Sequence, residues 1–471
     1  MTGTTRSSSD HSHLHKHKSS ASAAAEKIGY PHGHLGFLSQ EEEEALRSFK
    51  VFLEEKGYFK SSPPSHDDQT LLRFLRARKW AIHDAFQQFK DTEDWRERNQ
   101  LDVLYDTIDL EAYEQARGLY PQWTGRRDKR GIPLYVFEIR HLESKTIAAY
   151  EKSAADAKDS KAETDGSTPT KLLRLFALYE NLTRFVQPMC TQLPDRDSAR
   201  APITLSTNIV DVTGVSLRMF WNLKNHMQAA SQLATAHYPE TLDRIFIIGA
   251  PYFFSTVWGW IKRWFDPVTV SKIFILSASE VLPTLESFID IKNIPKQYGG
   301  ELEFKYPGRP NLDPFLVDRA TWANGHTAFP VGPMYWLPVE GGKEVECIAV
   351  GRKDNVERRE RVCTLPVAYP PAEEAKEKPS AEVVVAPPAT ADPAETSAEQ
   401  PASTNGAPPS ATEAEAEALP AAVQTLTIAE DEQSAPSEAK IEISEKIAAS
   451  EATAEPTAVA TEAKTAAPVS V

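Results

Sequence analysis

Three short segments of this 471-residue chain concentrate side chains able to hold a polar ligand. Residues 71–80, LLRFLRARKW, set Arg73, Arg76, Arg78 and Lys79 on an otherwise apolar helix. Residues 237–241, HYPET, end a helix and supply Glu240. Residues 266–274, DPVTVSKIF, supply Thr269, Ser271 and Lys272. Taken singly, each has an ordinary structural explanation: a solvated basic face, a threonine N-cap, a surface lysine. Catalytic signatures are missing. There is no G-x-S-x-G elbow, no G-x-x-x-x-G-K-[ST] loop and no H-E-x-x-H. No G-x-G-x-x-G follows a strand, which argues against a dinucleotide. Asp211, closing the TNIVD run, reads as a loop or capping carboxylate before Thr213 and Gly214. The chain is therefore expected to bind rather than to catalyse, without a metal or cofactor.

A fourth segment carries apolar chemistry. Seven of the fourteen residues 252–265 are aromatic. Surface of that kind faces a core, a ligand or a membrane. Phe254, Trp258, Ile261 and Phe265 recur at i, i+4, i+7 and i+11, a stripe that usually faces inward. Trp260 and Trp264, beside Lys262 and Arg263, fall on the other face and are the candidates for bilayer contact.

Hydrophobic periodicity names the elements that must position these groups. Residues 39–100 read as helical. Ser39 precedes an acidic run, and Leu46, Phe49, Phe52 and Leu53 follow at helical spacing. Further helices are expected from Leu71 after the SSPP breaker, and over 83–98 with Ala85, Phe86, Phe89 and Trp95 on one side. Residues 132–140 alternate as a strand. Residues 203–212, 244–249 and 272–276 are strand candidates, separated by helices near 217–238, over the aromatic segment, and near 282–289. Alternating strands and helices predict an α/β lobe with a mostly parallel sheet behind an all-helical N-terminal subdomain. Domain boundaries are expected at 1–34 (a disordered arm), 35–105 (helical subdomain), 106–305 (α/β lobe, with a polar surface insertion at 144–170), 306–370 (an extension with short strand-like pieces) and 371–471. The last segment holds 19 acidic and 5 basic residues and almost no aromatics, a composition expected to stay disordered.

That tail accounts for nearly all of the chain's net charge of −15, leaving residues 1–370 near −1. A nucleic-acid partner would call for a basic folded domain, so none is expected. No run of 18 uncharged apolar residues predicts a membrane span, and the N-terminus lacks an apolar signal core. Gly3 is not at the myristoylation position, and the C-terminus carries no prenylated cysteine. Three cysteines, Cys190, Cys347 and Cys363, fit a reducing compartment without a disulfide framework. The alternating His11, His13, His15 and His17 read as part of a solvated arm rather than a metal site. A cytoplasmic monomer with only peripheral membrane contact is the expectation.

Together these segments resemble the Sec14-like CRAL-TRIO family of lipid-transfer proteins. The resemblance runs from LLRFLRARKW through YPQWTGRRDKRGIPLYVFE (120–138) and TNIVDVTGVSL (207–217). It continues through 238–276, including DPVTVSKIFIL, to IPKQYGG (294–300). It implies a helical subdomain, an α/β lobe around a large apolar pocket, and a gating helix that opens at a membrane. The aromatic segment matches that gate in position. At the family's phosphatidylinositol headgroup positions this chain has Arg78, Glu240, Thr269 and Lys272, all of the family's types. Cations and hydroxyls suit a phosphodiester, and a carboxylate suits inositol hydroxyls. At the family's phosphatidylcholine positions stand Thr124, Tyr135, Ser206 and Asn208. Choline is best held by aromatic faces, so Thr124 in place of one tyrosine weakens that site and points to another second hydrophobic lipid. The resemblance implies transfer or presentation of phosphatidylinositol, with Golgi or endosomal membranes as candidate locations. A lipid-sensing scaffold acting through the acidic tail, or a carrier of another phospholipid or a sterol, are the alternatives.

Overall fold

The computed structural model describes residues 29–156, 158–264 and 267–370. The expected histidine-rich arm up to residue 28, Phe265, and the acidic tail from 371 lie outside the described residues, as does the Trp264 side chain.

Five helices come first: α1 Gln40–Glu55, α2 Asp68–Ala77, α3 Ile82–Arg98, α4 Leu101–Thr107 and α5 Leu110–Arg117. Ser39 caps α1 reciprocally. Its Oγ accepts from the Glu42 N–H, and the Glu42 carboxylate accepts from the Ser39 N–H, so two otherwise orphaned donors are satisfied. The apolar faces of α1–α3 meet in one cluster, with Phe49, Leu53, Leu71, Leu75 and Phe89 fully buried. Burying each such side chain is worth about 1.5–3 kcal/mol.

Strands β1 Gln122–Arg127 and β2 Pro133–Glu138 then form an antiparallel hairpin. Helices α6 Ser144–Asp156 and α7 Thr170–Asn181 follow. A π-helical turn, Leu182–Val186, leads into α8 Gln187–Thr191. Next come β3 Ser206–Asp211, α9 Leu217–His237, β4 Leu242–Ile248, α10 Phe254–Ile261, α11 Pro267–Ser271, β5 Ile273–Leu276 and α12 Val281–Phe288. The sheet order is β1-β2-β3-β4-β5, with β2 to β5 all parallel, as the alternating pattern predicts. The register aligns Val136 with Ile209, Ile209 with Phe246, and Phe246 with Phe274. Because strand side chains alternate, Leu134, Val136 and Ile209 pack on one face against Leu285, Ile289 and Ile294. Their neighbours Tyr135, Phe137, Ser206 and Asn208 point to the opposite face, where a large cavity lies.

Two expectations are corrected, and the strand-like pieces expected in 306–370 are found. The polar stretch 144–170 is no surface loop. Its first half is α6, with Tyr150 and Ala154 buried. Its second half brings Asp159 into a buried, two-bonded pair with Arg174 of α7, at 2.5 and 2.8 Å. Alanine and one tyrosine carry too weak a period to announce that helix, and the ion pair forms only once α7 is in place. Arg174→Met is expected to destabilise the fold by about 3–5 kcal/mol, because Asp159 stays buried without its cation. A urea titration at neutral pH checks this. Replacing both partners by apolar residues should recover most of the loss.

Residues 29–34, assigned to the disordered arm, instead pack on the lobe, with Tyr30 and His34 buried. The extension 306–370 is ordered too. It contributes α13 Pro314–Arg319 and strands β6 Thr321–Trp322, β7 Met334–Pro338, β8 Glu344–Ala349, β9 Arg352–Lys353, β10 Val356–Glu357 and β11 Glu360–Pro366. Four of these strands form an antiparallel sheet of order β6-β11-β8-β7. It buries Met334, Cys347, Val362 and Cys363 against Phe185, Met189 and Cys190. The buried Tyr105 hydroxyl of α4 ties it down, donating to the Met334 carbonyl at 2.6 Å and accepting the Met334 N–H at 3.1 Å. All three cysteines are buried thiols.

Candidate functional site

The cavity between the sheet and α7 and α9 has a volume of about 1420 Å³. Ordinary small-molecule pockets hold roughly 300–1000 Å³. Its broad wall is mostly apolar. Leu175, Leu178 and Leu182 come from α7 and the following turn, Met227, Ala230 and Ala234 from α9, and Phe137 from β2. On α9 these residues recur at i, i+3 and i+7, one stripe of an amphipathic helix. The cavity also meets polar groups on that wall. The Tyr120 hydroxyl pairs with His226 Nε2 at 2.7 Å.

The other end is polar, and the four headgroup candidates converge there. Arg78, Glu240, Thr269 and Lys272 all line the cavity, from three separate parts of the chain. Arg78 is the C-cap of α2, and its side chain is exposed at the cavity margin. Lys79 and Trp80 follow with φ of 49° and 66°, a left-handed turn that ends the helix where Arg78 needs to stand. Glu240 also has a left-handed φ, 54°, between Tyr238 at the end of α9 and the start of β4. A non-glycine residue rarely holds that conformation, and such strain gathers at binding sites. Its carboxylate is 3.3 Å from Lys272 Nζ, which also donates to the Leu242 carbonyl at 3.2 Å. The Lys272 main chain is held from both sides. Its N–H donates to the Thr269 carbonyl, and its carbonyl accepts from Ile245 of β4. A cation, a carboxylate and a hydroxyl residue are thus set by the backbone at the β4–β5 edge.

Of the second constellation, Tyr135, Ser206 and Asn208 line the same cavity. Ser206 and Asn208 are committed to one another. The Asn208 amide donates to Ser206 Oγ at 3.0 Å, and Ser206 Oγ donates to the Thr241 carbonyl at 3.1 Å. Thr124 does not join them. It is fully buried, donates to the Leu134 carbonyl across the hairpin at 3.0 Å and accepts from Arg126 N–H, so its hydroxyl serves β1–β2 geometry.

The aromatic segment also departs from expectation. The α-helix stops at Ile261, and Lys262–Trp264 continues as a tighter 3₁₀ turn. Phe254 and Val257 are its buried residues, with Trp258 and Ile261 half-buried. Phe254 and Trp258 pack into the core with Val212, Leu223 and Met219, and no described residue of the segment lines the cavity. The apolar wall of the cavity on this side is built by α9 and not by α10. Of the candidates for the outer face, Trp260 is 37% exposed, and Lys262 and Arg263 are exposed. The sequence reading missed Trp221 of α9. It is 48% exposed, lies tilted beside Trp260 with ring centroids 5.3 Å apart, and carries Lys224 over its ring. Among the described residues no helix is long and apolar enough to cross a membrane, and no cluster of metal-ligating side chains is found.

The CRAL/TRIO domain model matches residues 118–300, and the CRAL/TRIO N-terminal domain model matches residues 14–91. A CRAL-TRIO domain-containing protein of Saccharomyces cerevisiae is 33% identical over 307 residues, spanning 64% of this chain and 90% of that protein. The chain belongs to the CRAL-TRIO family. The SEC14 cytosolic factor of Eremothecium gossypii is 30% identical over 303 residues, covering 64% of this chain and 88% of its own length. A phosphatidylinositol/phosphatidylcholine transfer protein of Arabidopsis thaliana, SFH7, is 31% identical over 246 residues, 50% of this chain and 40% of its own. Within the CRAL-TRIO frame, the N-terminal model covers α1, α2 with its C-cap Arg78, and the first part of α3. The domain model covers the five-stranded sheet, the apolar wall of the cavity and the remaining three headgroup candidates. The sheet built by residues 314–366 falls beyond both matches.

Proposed function

We propose that this chain takes up phosphatidylinositol with its headgroup at the polar end of the cavity, and exchanges or presents it at membrane surfaces. The observation that carries this is the convergence of Arg78, Glu240, Thr269 and Lys272 on one end of a large, otherwise mostly apolar cavity. Cations meet the phosphodiester, and Glu240 accepts inositol hydroxyls. The apolar wall of α7 and α9 replaces the bilayer for the acyl chains, each buried CH₂ contributing about 0.8 kcal/mol. Because bilayer and cavity offer the chains similar surroundings, headgroup contacts decide which lipid is kept.

Membrane contact is assigned to the outer faces of α9 and α10. Trp221 and Trp260 form an aromatic pair rimmed by exposed Arg218, Lys262 and Arg263. Aromatic rings favour the bilayer interface, and basic side chains favour anionic lipid. In this reading α9 is the wall that must move for a lipid to enter, and α10 moves with it as the gate. A Trp221→Ala, Trp260→Ala variant is expected to bind anionic vesicles about tenfold more weakly in co-sedimentation, as two interfacial rings are lost. Its uptake of lipid from detergent micelles should be unaffected.

The SEC14 relatives' name, cytosolic factor, supports a cytosolic location for this chain. Mass spectrometry of lipids co-purifying with the chain tests the function. Phosphatidylinositol is the expected species, and a single different lipid would overturn the reading.

A further inference from the structure

The polar end of the cavity has a fourth wall. It is made by the N-terminal segment 29–38, which crosses the mouth before α1 begins. The segment is anchored. Tyr30 donates to the Ala201 carbonyl at 3.1 Å, and Arg196 donates to the Tyr30 hydroxyl at 2.8 Å. Arg76 of α2 donates from Nη1 to the Gly33 carbonyl at 2.9 Å. Gly33 has φ 70°, and a Cβ there would lie 3.2 Å from Arg76 Cδ, so glycine permits the close approach.

Two side chains at this wall line the cavity with buried polar atoms that no protein group satisfies. Arg76 Nε and Nη2 are buried without partners, as is His34 Nε2. His34 is only 4% exposed and packs edge-on against Tyr30. Its Nδ1 lies 3.0 Å from the His32 carbonyl. A carbonyl only accepts, so Nδ1 carries the proton, and in the neutral ring Nε2 is left as a lone-pair acceptor. Burial, and then the nearby Arg76 and Lys272 charges, hold the His34 pKa well below its ordinary value, which keeps the ring neutral. Burial likewise pushes Arg76 down to about 10, still cationic at neutral pH. Buried polar atoms without partners are costly and uncommon in native proteins.

We propose that Arg76 and His34 form a second edge of the headgroup site, which recognises a polyol phosphate. Arg76 donates two N–H groups to phosphate or inositol hydroxyl oxygens, and His34 Nε2 accepts from one hydroxyl. This rests on the reading of the cavity as a phosphatidylinositol site and adds what selects the inositol ring. Arg78 and Lys272 can serve any phospholipid phosphate, whereas a neutral acceptor beside buried cations is of use only to a hydroxyl-bearing headgroup.

The test compares uptake from vesicles containing phosphatidylinositol with uptake from vesicles containing phosphatidic acid, which has the phosphate and chains but no polyol. His34→Leu keeps an apolar side chain of similar bulk against Tyr30. It is expected to lower phosphatidylinositol loading about tenfold and leave phosphatidic acid unchanged. Arg76→Gln is expected to lower both. Melting temperature confirms the fold, and should Arg76→Gln be unstable, His34→Leu decides alone. Unchanged phosphatidylinositol loading in folded His34→Leu, or an equal loss for both lipids, overturns the proposal. Soluble glycerophosphoinositol separates the possible sources. If it binds the native chain as tightly as the lipid and His34→Leu weakens it too, the polyol-phosphate edge stands and the lipid reading falls. If the native chain loads phosphatidylinositol and neither variant differs, the lipid reading stands and this edge falls.

Discussion

An Arg78→Ala, Lys272→Ala double variant is expected to take up phosphatidylinositol at least about a hundredfold more weakly than the native chain. Each charge-assisted contact to a partly desolvated phosphate is worth about 1.5–3 kcal/mol, and two are lost. Removing Lys272 also strips Glu240 of its cation, 3.3 Å away, so an incoming phosphate would meet a bare carboxylate. The fold should tolerate the change. Arg78 is exposed, and Lys272 is held by its own backbone bonds to Thr269 and Ile245 rather than by its side chain alone. Transfer of labelled phosphatidylinositol between vesicles measures the effect, with thermal melting as the control. A wild-type rate would show that the headgroup sits elsewhere.

A large stability effect is also expected at Glu180, in the joint between the helical subdomain and the lobe. Its carboxylate is buried on α7 and receives both ends of the Arg96 guanidinium from α3, at 2.7 and 3.2 Å. The Tyr238 hydroxyl donates to it at 2.6 Å, just before the Glu240 turn. Burial alone would raise the Glu180 pKa. The Arg96 charge and hydrogen bonds, with help from Arg184 and Tyr238, outweigh it and lower the pKa from 4.5 to about 2. Glu180→Ala is expected to cost about 3 kcal/mol, because Arg96 and Tyr238 both lose their buried acceptor and Arg96 keeps only the more exposed Asp102 and Glu93. The native pair also has an acid signature. A carboxylate depressed in the folded state stabilises fully above its unfolded pKa, and loses that contribution as pH falls through the folded one. Stability from this pair should therefore be constant above about pH 4.5 and decline between there and about pH 2. Urea midpoints measured across that range, for native chain and variant, check it. Parallel curves would mean that Glu180 contributes nothing pH-dependent.

Much of the fold was legible in local pattern. The Ser39 cap, the Leu46–Phe49–Leu53 stripe and the alternation of β2 each depend on neighbours within a few residues, and each formed where expected. The parallel sheet followed from strands separated by helices. Local pattern failed where a segment owes its order to distant partners. Helix α6 is polar because its one strong anchor, Tyr150, donates to the Lys171 carbonyl, and Asp159 waits for Arg174. Residues 29–34 look like a tail because what holds them is Arg196, from far along the chain.

For the site, the sequence by itself determined which residue types were available: the two cations, the carboxylate and the threonine of LLRFLRARKW, HYPET and DPVTVSK. Those types settle the chemistry, because charge and hydrogen-bonding capacity belong to the side chain. Tertiary structure decided which of them share a space. It brought Arg78, Glu240, Thr269 and Lys272 to one cavity, and took Thr124 away from it. It gave the apolar wall of the cavity to α9 rather than to the aromatic helix, and brought Trp221 beside Trp260. It also left Arg76 and His34 with unsatisfied atoms at the cavity mouth. Helical spacing says which residues share a face but not what that face meets. That depends on contacts between segments well separated in the chain, which no local window contains.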